Sequence, residues 1–204
     1  MRKFFCVILF AAFTIAGLFF CNKEAAAQYV VETWEPPIKK LFLDFTEYEE
    51  RTSTEVIVIH HAGFPEGDKD SSAEGIHKFH REVNGWAGIG YHFVIRKDGT
   101  IEQGRKPLAV GAHAYKHNKN SVGICVAGNF ELAEIKSAQL NSLKLLTAWL
   151  CQKYKLNPMK RGVIVGHRNF NDTDCPGKNL YAKLDEIRYW CRDFNGTDDF
   201  GNRR

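Results

Sequence analysis

The 204 residues are 44% hydrophobic and 25% charged, which leaves enough apolar surface for a core and excludes an intrinsically disordered chain. Of the formal net charge of +4, half comes from Arg2, Lys3 and Lys23 set against Glu24, so no basic field marks a nucleic-acid partner. The length fits one domain behind a leader and leaves no room for a second large one.

Arg2 and Lys3 precede an apolar run from Phe4 to Cys21, and Ala25-Ala26-Ala27 follows. A charged start, an apolar stretch and small residues at an A-x-A site form a secretory signal over 1–27, with Gln28 as the mature N-terminus. The run is also long enough for an uncleaved membrane anchor, and Cys21 offers a lipoprotein thiol, although bulky Phe20 stands where lipoprotein sites carry a small residue. All three readings export the protein to a periplasmic, cell-envelope or extracellular place, and two of them attach it to a membrane. Export implies an oxidising compartment. Among the cysteines beyond the leader, Cys151 with Cys191 is a candidate disulfide, while Cys125, in an apolar run, reads as a small buried hydrophobe.

Residues 28–53 read as an extension laid against the core, with Trp34, Pro36-Pro37 and a Leu41, Phe42, Phe45 cluster. Glu55 to Ile59 is a short β-branched run that favours a buried strand ending at His60-His61. Ser71 to Val83 places Ile76, Phe79 and Val83 at helical spacing behind a Ser72 cap. Tyr91 to Arg96, then Lys97-Asp98-Gly99-Thr100, then Ile101 onward predict a hairpin, because Asp-Gly suits a turn needing positive φ. Ser121 to Ala127 and Val163 to Val165 are further buried strands. Ser137 to Tyr154 carries Leu140, Leu143, Leu146, Leu150 and Tyr154 on one helical face, and Leu180, Leu184, Ile187 and Cys191 mark a C-terminal helix. Strands alternating with helices indicate an α/β domain whose sheet is covered on both faces. The domain is placed at 54–192, with a polar tail at 193–204 and a monomer expected.

Zinc takes nitrogen and sulfur donors in a tetrahedron, and a catalytic site keeps one corner for water by using three protein ligands. His60, His167 and Cys175 can supply that set: two strands end in the imidazoles, and the loop 168–174 is long enough to return the thiolate to the same ion. Successive strand side chains point to opposite faces, so His60 and His61 do not both ligate. Both faces of the strand are apolar, and periodicity leaves the choice open. His77, His80 and His117 read as surface or capping residues.

VIVIHHAG, GWAGIGYHFVIRKDGTIEQGR, VGAHAYKHNKNSVGICVAGNF and VGHRNFNDTDCPG, spanning Val56 to Gly177 in this order, resemble four signatures of the N-acetylmuramoyl-L-alanine amidases related to phage amidase-lysozymes and animal peptidoglycan recognition proteins. The resemblance implies an α/β fold: a single domain with a central mixed β-sheet flanked by helices on both faces. It implies zinc-dependent hydrolysis of the amide between N-acetylmuramic acid and L-alanine in peptidoglycan. It selects His60 over His61 and, with His167 and Cys175, names the ligands of Zn2+. Tyr91 resembles the family's catalytic tyrosine, and Thr173, two residues before the cysteine, matches the threonine of recognition-protein amidases.

Beside these motifs, His113 of the G-A-H stretch is expected to line the substrate cleft. Trp86 is expected to floor it under the sugar or lactyl group. Arg105 resembles the family's E-x-G-R arginine, suited to a stem-peptide carboxylate or to a structural ion pair, and Asn129 to a turn. Tyr115-Lys116-His117 departs from the small, glycine-containing stretch that follows G-A-H in relatives, which puts the cleft wall in question. Two other functions remain: a peptidoglycan receptor without catalysis, against which the retained thiolate speaks, and a zinc peptidase acting within the stem peptide.

Overall fold

The computed structural model describes residues 34–47, 49–63, 67–199 and 201–202. The predicted leader and the start of the extension lie outside them. No helix among the described residues is long and apolar enough to cross a bilayer.

In chain order the elements are β1 (Ile38–Lys40), β2 (Val56–His61), α1 (Ala73–Glu82), β3 (Phe93–Ile95), β4 (Ile101–Gln103), β5 (Ser121–Val126), α2 (Ser137–Lys153), β6 (Ile164–Gly166), α3 (Lys178–Tyr181) and α4 (Leu184–Phe194). The strands form one mixed sheet in the order β1-β4-β3-β5-β2-β6. The central pair, β2 and β5, runs parallel from Val56 opposite Ser121 to His61 opposite Val126. β6 joins β2 in parallel and β3 joins β5 in parallel, while β3 and β4 form the antiparallel hairpin. Its turn closes with the Arg96 N–H donating to the Thr100 carbonyl at 2.9 Å, and Gly99 adopts φ 90° as the Asp-Gly pair predicts.

The uniform apolar character of β2 and β5 follows from burial on both faces. One face, with Ile57, Ile59, Phe93, Ile95, Val122 and Ile124, packs under α2 and α4; the other, with Val94 and Cys125, packs against Ala73 and Ile76 of α1. Leu143, Leu146 and Leu150 of α2 are fully buried, each contributing roughly 1.5–3 kcal/mol. Thr147, Ala148, Trp149 and Cys151 are buried as well, since α2 touches both the sheet and α4 and so hides more than one face. β4 anchors α1: the buried Glu102 carboxylate accepts the Ala73 N–H at 2.8 Å and pairs with Arg96 and Lys39 at 3.4 Å.

The sequence-based expectations need correction at several points. The stretch before the domain contributes an edge strand, β1, parallel to β4, which the Pro36-Pro37 pair concealed. In α1 the Ser72 cap holds, its hydroxyl accepting the Gly75 N–H at 3.0 Å, but Phe79 and Val83 are 44% and 66% exposed. The buried stripe is Ala73, Ile76, His77 and His80, so His77 and His80 are not surface residues. Their Nδ1 atoms accept the backbone N–H groups of Ile89 and Gly90, which offsets the burial of two imidazoles. The C-terminal helix is two helices, α3 and α4, separated at Ala182 and Lys183. Cys151 and Cys191 form no disulfide: both are free and buried, and the Cys191 thiol donates instead to the Lys144 carbonyl at 3.7 Å.

Candidate metal centre and active site

His60 lies near the carboxyl end of β2, one residue before the strand stops, and His167 follows Gly166, the last residue of β6. These adjacent parallel strands bring both imidazoles to the carboxyl edge of the sheet, where open α/β folds place their ligands. Cys175 returns to them through a closed loop: the Arg168 N–H donates to the Cys175 carbonyl at 2.9 Å, and the Thr173 hydroxyl accepts the Cys175 N–H at 3.2 Å. One donor atom from each of His60, His167 and Cys175 lies within 4.8 Å of the other two. The His60 Nδ1 is 3.7 Å from the Cys175 Sγ, and the His60 and His167 ring centroids are 4.5 Å apart.

His61 points the other way, as strand alternation requires. Its Nδ1 accepts the Phe130 N–H at 3.1 Å, and its own backbone N–H donates to the Cys175 Sγ at 3.4 Å. That amide helps to hold the sulfur without taking a place among the ligands.

The donor set suits a zinc-like cation. His60 is 1% exposed and burial holds its pKa well below the ordinary histidine value; burial lowers that of His167 too, so both rings are neutral and offer a lone pair. Burial pushes the Cys175 thiol up to about 12 against smaller lowering by the His61 amide and Arg168, so a metal must displace its proton on binding. Two neutral imidazoles and one thiolate leave a fourth corner free in a tetrahedron.

Behind the ligands, the His60 Nε2 is 3.1 Å from the His113 Nδ1. Because the His60 Nδ1 faces the sulfur, its Nε2 carries the hydrogen and donates. The His113 Nε2 then donates to the Ser121 hydroxyl at 3.4 Å, which donates to the His117 carbonyl at 2.6 Å. The His113 ring is slotted against Gly111 and Gly123: a methyl carbon built on either would lie 2.4 or 2.5 Å from ring atoms. His113 therefore sits behind His60, a buried partner of a candidate ligand. The Tyr91 ring lies tilted against His60, centroids 5.0 Å apart, and burial, with smaller contributions from Cys125 and Cys175, raises its pKa well above the usual tyrosine value. Its hydroxyl stays protonated and can donate.

A model of the family described as N-acetylmuramoyl-L-alanine amidase matches residues 50–178. The chain belongs to the N-acetylmuramoyl-L-alanine amidase family. The endolysin of Enterobacteria phage T3 is 32% identical over 160 residues, covering 76% of this chain and 97% of that protein. The solved N-acetylmuramoyl-L-alanine amidase LysC from Clostridium intestinale superposes with a TM-score of 0.68 at 32% identity, over 80% of this chain and all of that one. Drosophila PGRP-LB, solved as a tyrosine-to-phenylalanine mutant in complex with tracheal cytotoxin, superposes with a TM-score of 0.64 at 30% identity, over 72% of this chain and 92% of that one. The protein is an N-acetylmuramoyl-L-alanine amidase, and peptidoglycan is what it degrades.

The amidase has a cavity of about 540 Å³ lined by Trp86, Arg105, Glu47, Glu49, Gly111 and Ala112 among others, and none of the three candidate metal ligands lines it. Its wall is linked to the candidate ligands by Gly111 and Ala112, which precede the His60 partner His113, and by a row of rings. Trp86 is 4.7 Å from His80, His80 is 5.8 Å from Tyr91, and Tyr91 is 5.0 Å from His60. Trp86 is 43% exposed, consistent with a cavity wall. Arg105 makes no ion pair among the described residues: its Nε donates to the Ile89 carbonyl at 2.7 Å and its Nη1 to the Val110 carbonyl at 2.8 Å, with the Phe45 ring against the guanidinium. Asn129 holds the turn after β5, its side-chain oxygen accepting the Glu131 N–H at 3.1 Å. The acidic wall residues Glu47 and Glu49 come from the extension, to which sequence reasoning gave no function. His80, whose ring stands between Trp86 and Tyr91, was missed in the sequence because a histidine counts as polar in a hydrophobic pattern.

Proposed function

We propose that the amidase is zinc-dependent, that His60, His167 and Cys175 hold the ion, and that it cuts between the lactyl group of N-acetylmuramic acid and the L-alanine of the stem peptide. The observation that carries this reading is the convergence of two neutral imidazoles and a buried thiol on one point at the carboxyl edge of the sheet. Bound zinc would supply Lewis acidity to the water nucleophile and to the scissile carbonyl.

The chain's own residues do the rest. Tyr91, kept protonated by burial, donates a hydrogen bond toward the carbonyl oxygen as negative charge develops there. Thr173 spends a lone pair on the Cys175 N–H and keeps its hydroxyl hydrogen for the same oxygen. His113 holds the His60 ring through Nε2, and the Trp86 and Arg105 cavity seats the substrate beyond the scissile bond, Trp86 by apolar contact and Arg105 by its charge. The complex of Drosophila PGRP-LB with tracheal cytotoxin shows that a protein of this fold binds such a ligand, which supports muropeptides as this chain's substrates. The charged start and apolar run of 1–27 support export to the cell envelope or beyond, with 54–192 as the catalytic domain.

Digestion of purified peptidoglycan by chelator-treated and zinc-restored enzyme tests the proposal. Zinc should restore the release of intact stem peptides with a free L-alanine N-terminus, read by mass spectrometry. Fragments cut within the stem would favour a zinc peptidase instead, and full activity without metal would refute the zinc dependence.

A further inference from the structure

Each candidate imidazole ligand uses one ring nitrogen toward the metal position and gives the other to a protein partner. For His60 the partner is His113. For His167 it is Asn171, whose Oδ1 lies 3.0 Å from the His167 Nε2. An amide oxygen has no hydrogen to give, so the His167 Nε2 is the donor and Nδ1 retains the lone pair. The other end of the amide fixes its orientation: the Asn171 Nδ2 donates to the Tyr115 carbonyl at 3.4 Å, a contact open only to the NH2 end.

Tyr115 belongs to the 113–118 loop, within which Tyr115-Lys116-His117 departs from the expected small residues. Asn118 closes this loop by accepting the N–H groups of His113 and Ala114 at 2.8 and 3.0 Å. The His117 ring stacks on Phe170 with centroids 3.8 Å apart and planes nearly parallel, and so joins the loop to the segment that carries His167. One loop thus carries the partner of His60 and steadies the partner of His167.

We propose that Asn171 is a positioning residue of the metal centre: its side-chain oxygen holds His167 in the tautomer that ligates through Nδ1, while its amide nitrogen ties that ligand to the 113–118 loop. The inference rests on the zinc reading of His60, His167 and Cys175. Partners of this kind orient a ligating imidazole and raise its basicity, and their loss typically costs about 10–100-fold in metal affinity. Asn171 is partly exposed on a loop, so its replacement removes a hydrogen bond and not a piece of core.

The test compares wild type, Asn171→Ala and Asn171→Asp by zinc competition against a chromogenic chelator, by the absorption spectrum of the Co2+-substituted protein, and by the melting temperature of the zinc-free forms. Asn171→Ala should weaken zinc binding about 10–100-fold and alter the Co2+ bands while leaving zinc-free melting unchanged. Asn171→Asp keeps an acceptor for His167 but cannot donate to the Tyr115 carbonyl, and it should bind zinc more tightly than Asn171→Ala. A merely structural role for the loop contact would instead make Asn171→Asp as weak as Asn171→Ala, and that result overturns the proposal. So does unchanged affinity in Asn171→Ala. If wild type itself takes up no zinc, the reading beneath fails, and this inference falls with it.

Discussion

Replacing Gly123 with alanine would set a methyl group 2.5 Å from Cγ, 2.7 Å from Cδ2 and 2.8 Å from Nδ1 of His113. Something must move. The backbone of β5 resists, because it is paired in parallel with β2 on one side and β3 on the other, so the imidazole gives way. Overpacking of this kind costs about 1–3 kcal/mol. In a His113→Ala background the ring is gone and the same methyl enters vacated space, so the second substitution should cost little or even stabilise. Urea denaturation of wild type, both single variants and the double variant, all zinc-free, should then give a coupling energy of about 1–3 kcal/mol. The displaced ring also withdraws the partner of His60, so Gly123→Ala should weaken zinc binding by roughly tenfold. Equal costs of Gly123→Ala in the two backgrounds would refute the placement of His113 behind His60.

Acid should destabilise the zinc-free protein before most carboxylates titrate. His92, buried near Arg51, has a pKa lowered to about 3, and His80 is lowered to about 4, chiefly by burial. The unfolded chain titrates these rings near 6.5 and so binds more protons below that pH. The stability they contribute is complete above about 6.5 and falls as pH drops toward 4, by up to ~1.4 kcal/mol per pH unit for each ring. Urea midpoints at pH 7 and pH 5 measure it, and equal midpoints would contradict it. Tyr91→Phe should keep stoichiometric zinc yet lower kcat by about 10²-fold or more, whereas loss of metal in that variant would make the tyrosine a structural residue. Trp86→Ala should raise KM for muropeptides by several-fold with kcat nearly kept, read by steady-state kinetics, and an unchanged KM would remove Trp86 from the substrate cavity.

The strands were legible because β-branched runs such as EVIVI and VGICV have no amphipathic alternative, and Asp98-Gly99 announced the hairpin. The candidate metal ligands stood out by their chemistry, but the choice of His60 over His61 came from motif resemblance, since a strand apolar on both faces carries no phase. The structure supplies the phase: His61 is spent on the Phe130 N–H. What stayed hidden were partnerships made by polar atoms across long sequence separations. His77 and His80 count as polar in any hydrophobic pattern, yet they are buried because backbone N–H groups twelve and ten residues onward need acceptors. Asn171 stands among other polar residues in a loop, and no spacing rule distinguishes its contact to His167 from its neighbours' contacts to solvent. β1 is three residues long behind two prolines, and only its pairing with β4 defines it.

The central claim is that His60, His167 and Cys175 share one zinc ion. Elemental analysis of the purified protein with X-ray absorption at the zinc edge measures it directly. The account predicts one zinc per chain with one sulfur, two imidazole nitrogens and one lighter donor around it, and loss of both the zinc and peptidoglycan hydrolysis in Cys175→Ala. Stoichiometric zinc retained by Cys175→Ala, or a zinc shell without sulfur in the wild type, would contradict it.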